Sequence, residues 1–276
     1  MVIDLLLYTH SSCGDVLSIF LSQLTRNTKN LSTCRVVLLS DDQESAEKLL
    51  QRSGIENFVV VQYEDSSDYS KHFDSLEGVL GEFFLYMQED FFITSGWDYA
   101  MLNQYVSLME NLGLSLIRLT PSGSYRTKAY LESFLRTSKF LIEGEKFRRI
   151  DYLSSLPACM QPTIWRTSIF LEMHDEVKVE NLRDEWSNRY KLHFKKYGLV
   201  GLSTDKVEIP YLEVTAVRKG KWNFTDFKWG LILQEILKNH GVNPLDRGIA
   251  TYKFQVLEKR PGLLKDLWRR VRYERY

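Results

Sequence analysis

The stretch Glu82-Phe83-Phe84-Leu85-Tyr86-Met87-Gln88-Glu89-Asp90-Phe91-Phe92-Ile93-Thr94 decides how the chain is read. Its first half is a short apolar run of aromatic and β-prone residues, the pattern of a strand buried on both faces of an α/β sheet. Gln88, Glu89 and Asp90 then arrive together, and the chain turns apolar again at once. Two carboxylates at the end of a buried strand are costly unless their charge is compensated. One compensation is a hard divalent cation, because Mg²⁺ and Mn²⁺ prefer carboxylate oxygens and bring phosphates as further ligands. Strand ends are also where open α/β sheets place their ligands. The other reading is a loop carboxylate that caps the next helix or pairs with an arginine.

Working outward, apolar runs and helical spacings alternate. Val2 to Tyr8 predicts a first buried strand, the loop Thr9 to Asp15 follows, and Val16 to Thr25 has helical spacing. Arg35 to Leu39 predicts a second strand ended by Ser40-Asp41-Asp42, then a helix over Ser45 to Arg52 stopped by Gly54. Phe58 to Gln62 is a third strand, Leu76 to Leu80 a short helix, and Phe83 to Met87 the fourth strand. This β-α-β-α order predicts an α/β fold, a mainly parallel sheet with helices on both faces.

Downstream, Trp97 to Leu112 has helical spacing with Gly113 as its C-terminal punctuation, and Leu114 to Leu119 is another buried strand. The turn Pro121 to Ser124 breaks the alternation. A hairpin is expected between Lys139 and Ile150, and Pro157 and Pro162 bracket an extended segment ending in Ile164-Trp165. Helical spacing resumes at Ser168 and from Glu180 to Tyr197, Val207 to Val217 is strand-like, and Arg218 to Lys221 forms a basic turn. From Lys228 onward the chain reads as helices separated by Pro244 and Pro261.

The 276 residues carry 36 basic and 36 acidic side chains, so no global field favours a nucleic-acid partner. Cys13, Cys34 and Cys159 are widely spaced and odd in number, which predicts neither a disulfide framework nor a zinc site and makes a reducing compartment the default. The apolar N-terminus is too short for a signal peptide or a membrane span, and no other run approaches that length. The expectation is a soluble, cytoplasmic protein.

The order of motifs is similar to that of a known family. It runs from Gln88-Glu89-Asp90-Phe91 through Met160-Gln161-Pro162-Thr163-Ile164-Trp165 to a glutamate in the helical stretch beyond. Ile209-Pro210-Tyr211 then leads to Val217-Arg218-Lys219-Gly220-Lys221-Trp222. This resembles the GT-A fold nucleotide-sugar glycosyltransferases of bacterial and viral surface-polysaccharide pathways, such as capsule and lipopolysaccharide synthesis. The resemblance covers roughly residues 1–225, with 1–119 as the nucleotide-binding half and 120–225 as the acceptor side; 226–276 is a helical extension outside it.

The resemblance implies inverting transfer of a sugar from a nucleotide-diphosphate donor to a glycan or lipid-linked acceptor, assisted by Mn²⁺ or Mg²⁺. Asp90 aligns with the metal ligand. Gln88 stands where the family's first aspartate would be, which leaves Gln88 and Glu89 as contacts to the donor's ribose or sugar. Thr9, His10 and Ser11 would lie against the base, although Ser11 or Ser12 equally suits a helix cap. Asp41 resembles an acid that reads base or ribose, and Asp42 beside it suits a helix N-cap. Gln161 would offer its amide to sugar hydroxyls. Trp165 would wall the donor pocket or pack in the core. Arg218 and Lys221 would stabilise the leaving diphosphate or remain a surface turn.

Inversion needs a carboxylate to take the acceptor hydroxyl's proton. Glu185 sits at the matching distance beside Trp186, with Glu180 and Asp184 as alternates, in a stretch whose alternating charges equally fit a solvated helix face. The tail Leu257 to Tyr276 combines a Leu/Trp/Val stripe with arginines, which suits either docking on the catalytic domain or weak peripheral contact with an anionic membrane. The alternative to an enzyme is a nucleotide-sugar- or glycan-binding protein of the same fold without turnover.

Overall fold

The computed structural model describes residues 3–66, 69–120, 139–142, 145–150, 162–176, 195–212, 215–218 and 220–250. Gln161, Glu185 and the tail 251–276 lie outside these residues. The first half alternates as the sequence predicts: β1 (Asp4–Tyr8), α1 (Gly14–Asn27), the short β2 (Thr28–Lys29), β3 (Arg35–Ser40), α2 (Gln43–Arg52), β4 (Phe58–Gln62) and β5 (Phe83–Gln88). The short helix expected over Leu76 to Leu80 lies earlier, as a 3₁₀ helix over Tyr69–Leu76. Asp42 caps α2 by accepting from the Ser45 amide at 3.1 Å, the cap use the sequence allowed.

The second half adds β6 (Trp97–Asp98), α3 (Leu102–Leu112), β7 (Leu116–Arg118), the hairpin β8 (Lys139–Ile142) and β9 (Glu145–Ile150), β10 (Thr163–Arg166), α4 (Thr167–Glu176) and β11 (Gly201–Thr204). Gly113 closes α3 at φ 63°, a left-handed geometry that glycine adopts without strain. Val207 to Val217 is not the continuous strand expected. Leu212 donates to the Phe92 carbonyl at 2.7 Å and Ala216 to that of Asp90 at 3.0 Å, with a single bridge between Tyr211 and Ile93. Pro210, which has no N–H to give a ladder, sits in the middle of this stretch.

Among the described residues the main sheet has nine strands in the order β4-β3-β1-β5-β10-β7-β11-β9-β8. Parallel pairing of β4, β3, β1 and β5 builds one half. In the other half β10 and β9 run against their neighbours, so every other strand shares one direction. The carboxyl ends of β1, β3 and β5 therefore meet at one edge of the sheet.

Leu5 and Leu7 of β1 point into one core and Leu6 into the other, all fully buried. Burying each leucine contributes about 1.5–3 kcal/mol, which is why a central parallel strand reads as an unbroken apolar run. Helices α1, α2 and α3 cover the first face, while the 3₁₀ helix and α4 cover the second.

Beyond residue 216 the chain forms β12 (Val217–Arg218), β13 (Lys221–Asn223), α5 (Phe227–Asn239), α6 (Pro244–Arg247) and β14 (Ile249–Ala250). Leu233, Ile236 and Leu237 of α5 belong to the same core as Val16 and Leu5, and β14 pairs with β13. Helix α5 thus packs on the same core as the central strands. Among the described residues, no helix is long and apolar enough to cross a membrane.

At the amino ends of the strands Asp4 is buried but fully engaged. It accepts from Arg35 Nε at 2.9 Å, Arg35 Nη2 at 2.6 Å and the Gly81 amide at 2.7 Å. Further along the sheet, Gly201 of β11 lies opposite Leu116 of β7, where an added Cβ would stand 2.6 Å from a Leu116 methyl. Leu116 is itself buried and has little room to move. Gly201→Ala is therefore expected to cost about 1–3 kcal/mol of stability. Urea denaturation measures this, and an unchanged midpoint would show that the strand spacing is slack.

Candidate functional site

The strand order reverses between β1 and β5: β3 and β4 follow β1 on one side, and β5 lies on the other. Open α/β sheets bind ligands in the crevice outside the carboxyl ends at such a point. Three of the sequence's candidate groups converge there, because Tyr8 of β1 pairs with Leu39 of β3 and with Gln88 of β5.

The β1 exit loop is fastened to the end of β3. The Ser11 amide donates to Asp41 Oδ1 and the Ser11 hydroxyl to Asp41 Oδ2, both at 2.6 Å. His10 stands between two carboxylates, its Nε2 3.5 Å from Asp41 and 3.7 Å from Asp65. Ser11 does not cap α1, which has no side-chain cap; the His10 ring caps the 3₁₀ turn before it. Thr9 is buried, its amide bonded to the Leu39 carbonyl and its carbonyl accepting from Tyr63 Oη at 3.0 Å. Its hydroxyl donates to the His10 carbonyl at 3.5 Å.

Gln88, Glu89 and Asp90 lie half-buried at the end of β5. The Gln88 amide donates to Tyr86 Oη at 3.1 Å, an internal bond. Burial pushes the Glu89 carboxyl well above the usual carboxylate range, and the neighbouring Asp90 charge pushes it further. Burial raises Asp90 as well, and its Oδ1 is enclosed without a hydrogen-bond partner. An enclosed carboxylate oxygen without a donor is what a hard cation would satisfy. The donor set is small: among the described residues no group of three or more His, Cys, Asp or Glu side chains is arranged to hold a metal. A cation here would draw its remaining ligands from water and a bound phosphate, as Mg²⁺ commonly does.

The basic turn reaches this floor through the backbone, since Ala216 donates to the Asp90 carbonyl just before β12. Arg218 is half-buried and Lys221 exposed in the β12–β13 turn. Trp165 is elsewhere. Strand alternation sends its ring into the second core, fully buried and edge-on to Phe170 at 5.4 Å, so it packs there and walls no pocket.

Sequence reasoning missed Arg247. Its guanidinium bonds Asp15 in the first turn of α1, donating to Oδ2 at 2.8 Å and closely to Oδ1, and it donates to the Ser12 carbonyl at 2.8 Å. It also reaches the Gly220 carbonyl at 3.5 Å and lies over the Trp222 ring. Only the tertiary fold brings Arg247 here, so no local pattern marks it. Cys13 lies beside it, its thiol pushed up to about 11 by burial and then by the Glu89 charge. A cluster of Tyr8, Tyr63 and His72 backs the loop, with Tyr8 Oη 3.1 Å from His72 Nδ1 and the Tyr63 and His72 rings stacked at 4.2 Å.

A separate cavity of about 610 Å³ lies at the amino ends of β7 and β11, lined by Leu114, Ser115, Arg166, Tyr197 and Val200 among others. Among the described residues its lining includes no carboxylate.

No protein-family model matches the chain, and no curated protein resembles it significantly in sequence. Among solved structures, S. aureus TarS 1–349 in complex with UDP-GlcNAc is similar, at 18% identity over 76% of this chain and 57% of that one, with a TM-score of 0.49. The chain spans 43% of the longer S. aureus TarS structure. UDP-glucose pyrophosphorylase complexed with UDP-glucose has 13% identity over 87% of this chain and 100% of that one, TM-score 0.48. Mannosyltransferase PcManGT from Pyrobaculum calidifontis, in complex with GDP-Man and Mn²⁺, has 9% identity over 62% and 46%, TM-score 0.38. With identities and TM-scores this low, the functional reading rests on the residues of the crevice.

The raised carboxyls give a pH signature. In the unfolded chain Asp and Glu titrate near about 4. In the metal-free folded protein Glu89 and Asp90 hold their protons to higher pH, so from about pH 4 upward the folded state binds more protons than the unfolded one. Stability falls as pH rises through that window, up to the raised folded values. In the presence of a chelator, Asp90→Asn should flatten this fall, read from denaturation midpoints across the window. Parallel curves for both proteins would mean that Asp90 is not strained.

Proposed function

We propose that the protein is a nucleotide-sugar glycosyltransferase, using a divalent cation and inverting the transferred sugar onto a glycan or lipid-linked acceptor. The observation that carries this reading is the pair Glu89 and Asp90 at the end of β5, with Asp90 Oδ1 enclosed and unpaired at the reversal of strand order. The resemblance of the motif order across residues 1–225 to GT-A transferases supports the same reading.

In this reading Asp90 would hold the Mn²⁺ or Mg²⁺, which when bound supplies Lewis-acid stabilisation to the departing diphosphate, and Glu89 beside it contacts the donor's ribose or sugar. His10, Ser11 and Asp41 bind the nucleoside end, their side chains already tied together by the Ser11–Asp41 bonds. Gln88 orients the ribose or sugar, and Gln161 presents its amide to sugar hydroxyls. Arg218 and Lys221 add positive charge from the β12–β13 turn to the leaving group. Glu185 takes the proton of the attacking acceptor hydroxyl, so that the leaving diphosphate and the incoming oxygen lie on opposite faces of the sugar.

The test separates binding from turnover. Calorimetry with nucleoside diphosphates should show Mn²⁺-dependent binding that Asp90→Ala abolishes while the fold persists; unchanged affinity in that variant sinks the metal assignment. Glu185→Gln should keep donor binding and lose transfer by about a hundred- to ten-thousandfold. Donor binding without any transfer by the native protein would instead favour a binding protein of the same fold, a reading that Gln88 in place of a first aspartate also favours.

A further inference from the structure

The crevice that is to receive an anionic diphosphate is itself acidic. Asp41, Asp65, Glu89 and Asp90 border it, and Asp15 adds a carboxylate in the first turn of α1, beside the exit loop of β1. The first amides of α1 are already used, Gly14 donating to the Ser11 carbonyl and Val16 to Asp15 Oδ1, so what the start of α1 presents to an anionic ligand in the crevice is the Asp15 carboxylate, which repels it. Asp15 is 43% exposed and is met by Arg247, whose guanidinium is only 13% exposed and is held on four sides. Asp15 takes two of its N–H groups, the Ser12 carbonyl a third contact and the Gly220 carbonyl a fourth, with Trp222 beneath. The cation cannot swing away without breaking all of these. Its charge also reaches Cys13 and Glu89, which places it at the crevice wall rather than on a remote surface.

We infer that Arg247 is a positioning residue for the donor site: it neutralises Asp15 and so lets an anionic diphosphate approach the start of α1. It does this while tying the Ser12–Asp15 loop to the β12–β13 turn. The inference rests on the proposed donor site, and it assigns that site a residue outside the stretch carrying the family resemblance. Because the effect is electrostatic, removing the second charge of the pair undoes the effect of removing the first. Losing Arg247 leaves a bare carboxylate facing the ligand, whereas losing Asp15 as well removes the repulsion.

The experiment is calorimetric titration of the full chain with UDP and with GDP, each with Mn²⁺, at low and raised salt. Arg247→Gln should bind about tenfold more weakly, with the loss shrinking as salt screens the uncovered charge. The double variant Asp15→Asn with Arg247→Gln should recover most of that affinity. If the double variant stays as weak as Arg247→Gln, the arginine acts only by fastening the loops, and the inference is overturned. Arg247→Lys, which keeps the charge and loses the bidentate fork, guards against a Gln variant that does not fold. It should bind within about threefold of the native protein, and a loss as large as tenfold overturns the inference. Native protein that binds neither nucleotide refutes the donor-site reading and this inference with it, whereas native binding that is unaltered in Arg247→Gln refutes this inference alone.

Discussion

The protein's layout follows from how buried carboxylates are compensated at the two ends of the same three strands. At the amino ends Asp4 is buried and saturated, with two bonds from Arg35 and one from the Gly81 amide. A buried ion pair of this kind persists because its remaining lone pairs are also satisfied. At the carboxyl ends Glu89 is met by the Cys13 thiol and the Arg247 charge, while the Asp90 Oδ1 atom is left unbonded. The amino-end carboxylate is saturated by its own bonds, whereas one oxygen at the carboxyl end is not.

The first half of the chain was legible because its strands are central. Leu5, Leu6 and Leu7, like Val36 to Leu39, are buried on both faces, and such runs are hard to mistake. Asp42 and Gly113 marked helix ends by their own local chemistry. The other half was less legible because β10 inserts antiparallel between β5 and β7, which a four-residue extended segment cannot announce. That register also decides Trp165: beside Ile164 in a strand it must face the opposite core, whereas a sequence with no known partner strands leaves the ring free to be either wall or filler.

Site residues divided along the same line. Ser11, Asp41, Glu89 and Asp90 stand at ends of strands the sequence already located, so their convergence follows once the strands are ordered. Thr9 had the right position but an inward orientation, set by its bonds to Leu39 and Tyr63. Asp15 and Arg247 carry no local pattern linking them, and a long-range contact between single charges leaves no periodicity to read. The α5 helix was visible as a helix, but its apolar stripe of Leu233, Ile236 and Leu237 could not say which core it joins.

The bond between Asp15 and Arg247 spans 232 positions of the chain. A ribosome adds about 5–20 residues per second, so the arginine emerges roughly 10 to 50 seconds after the loop it secures. β14, the strand that completes the small sheet beside it, comes later still. Until then the start of α1 lacks this fastening, although α5 has already been made. The fastening of the β1 exit loop to the start of α1 therefore waits on a residue far along the chain.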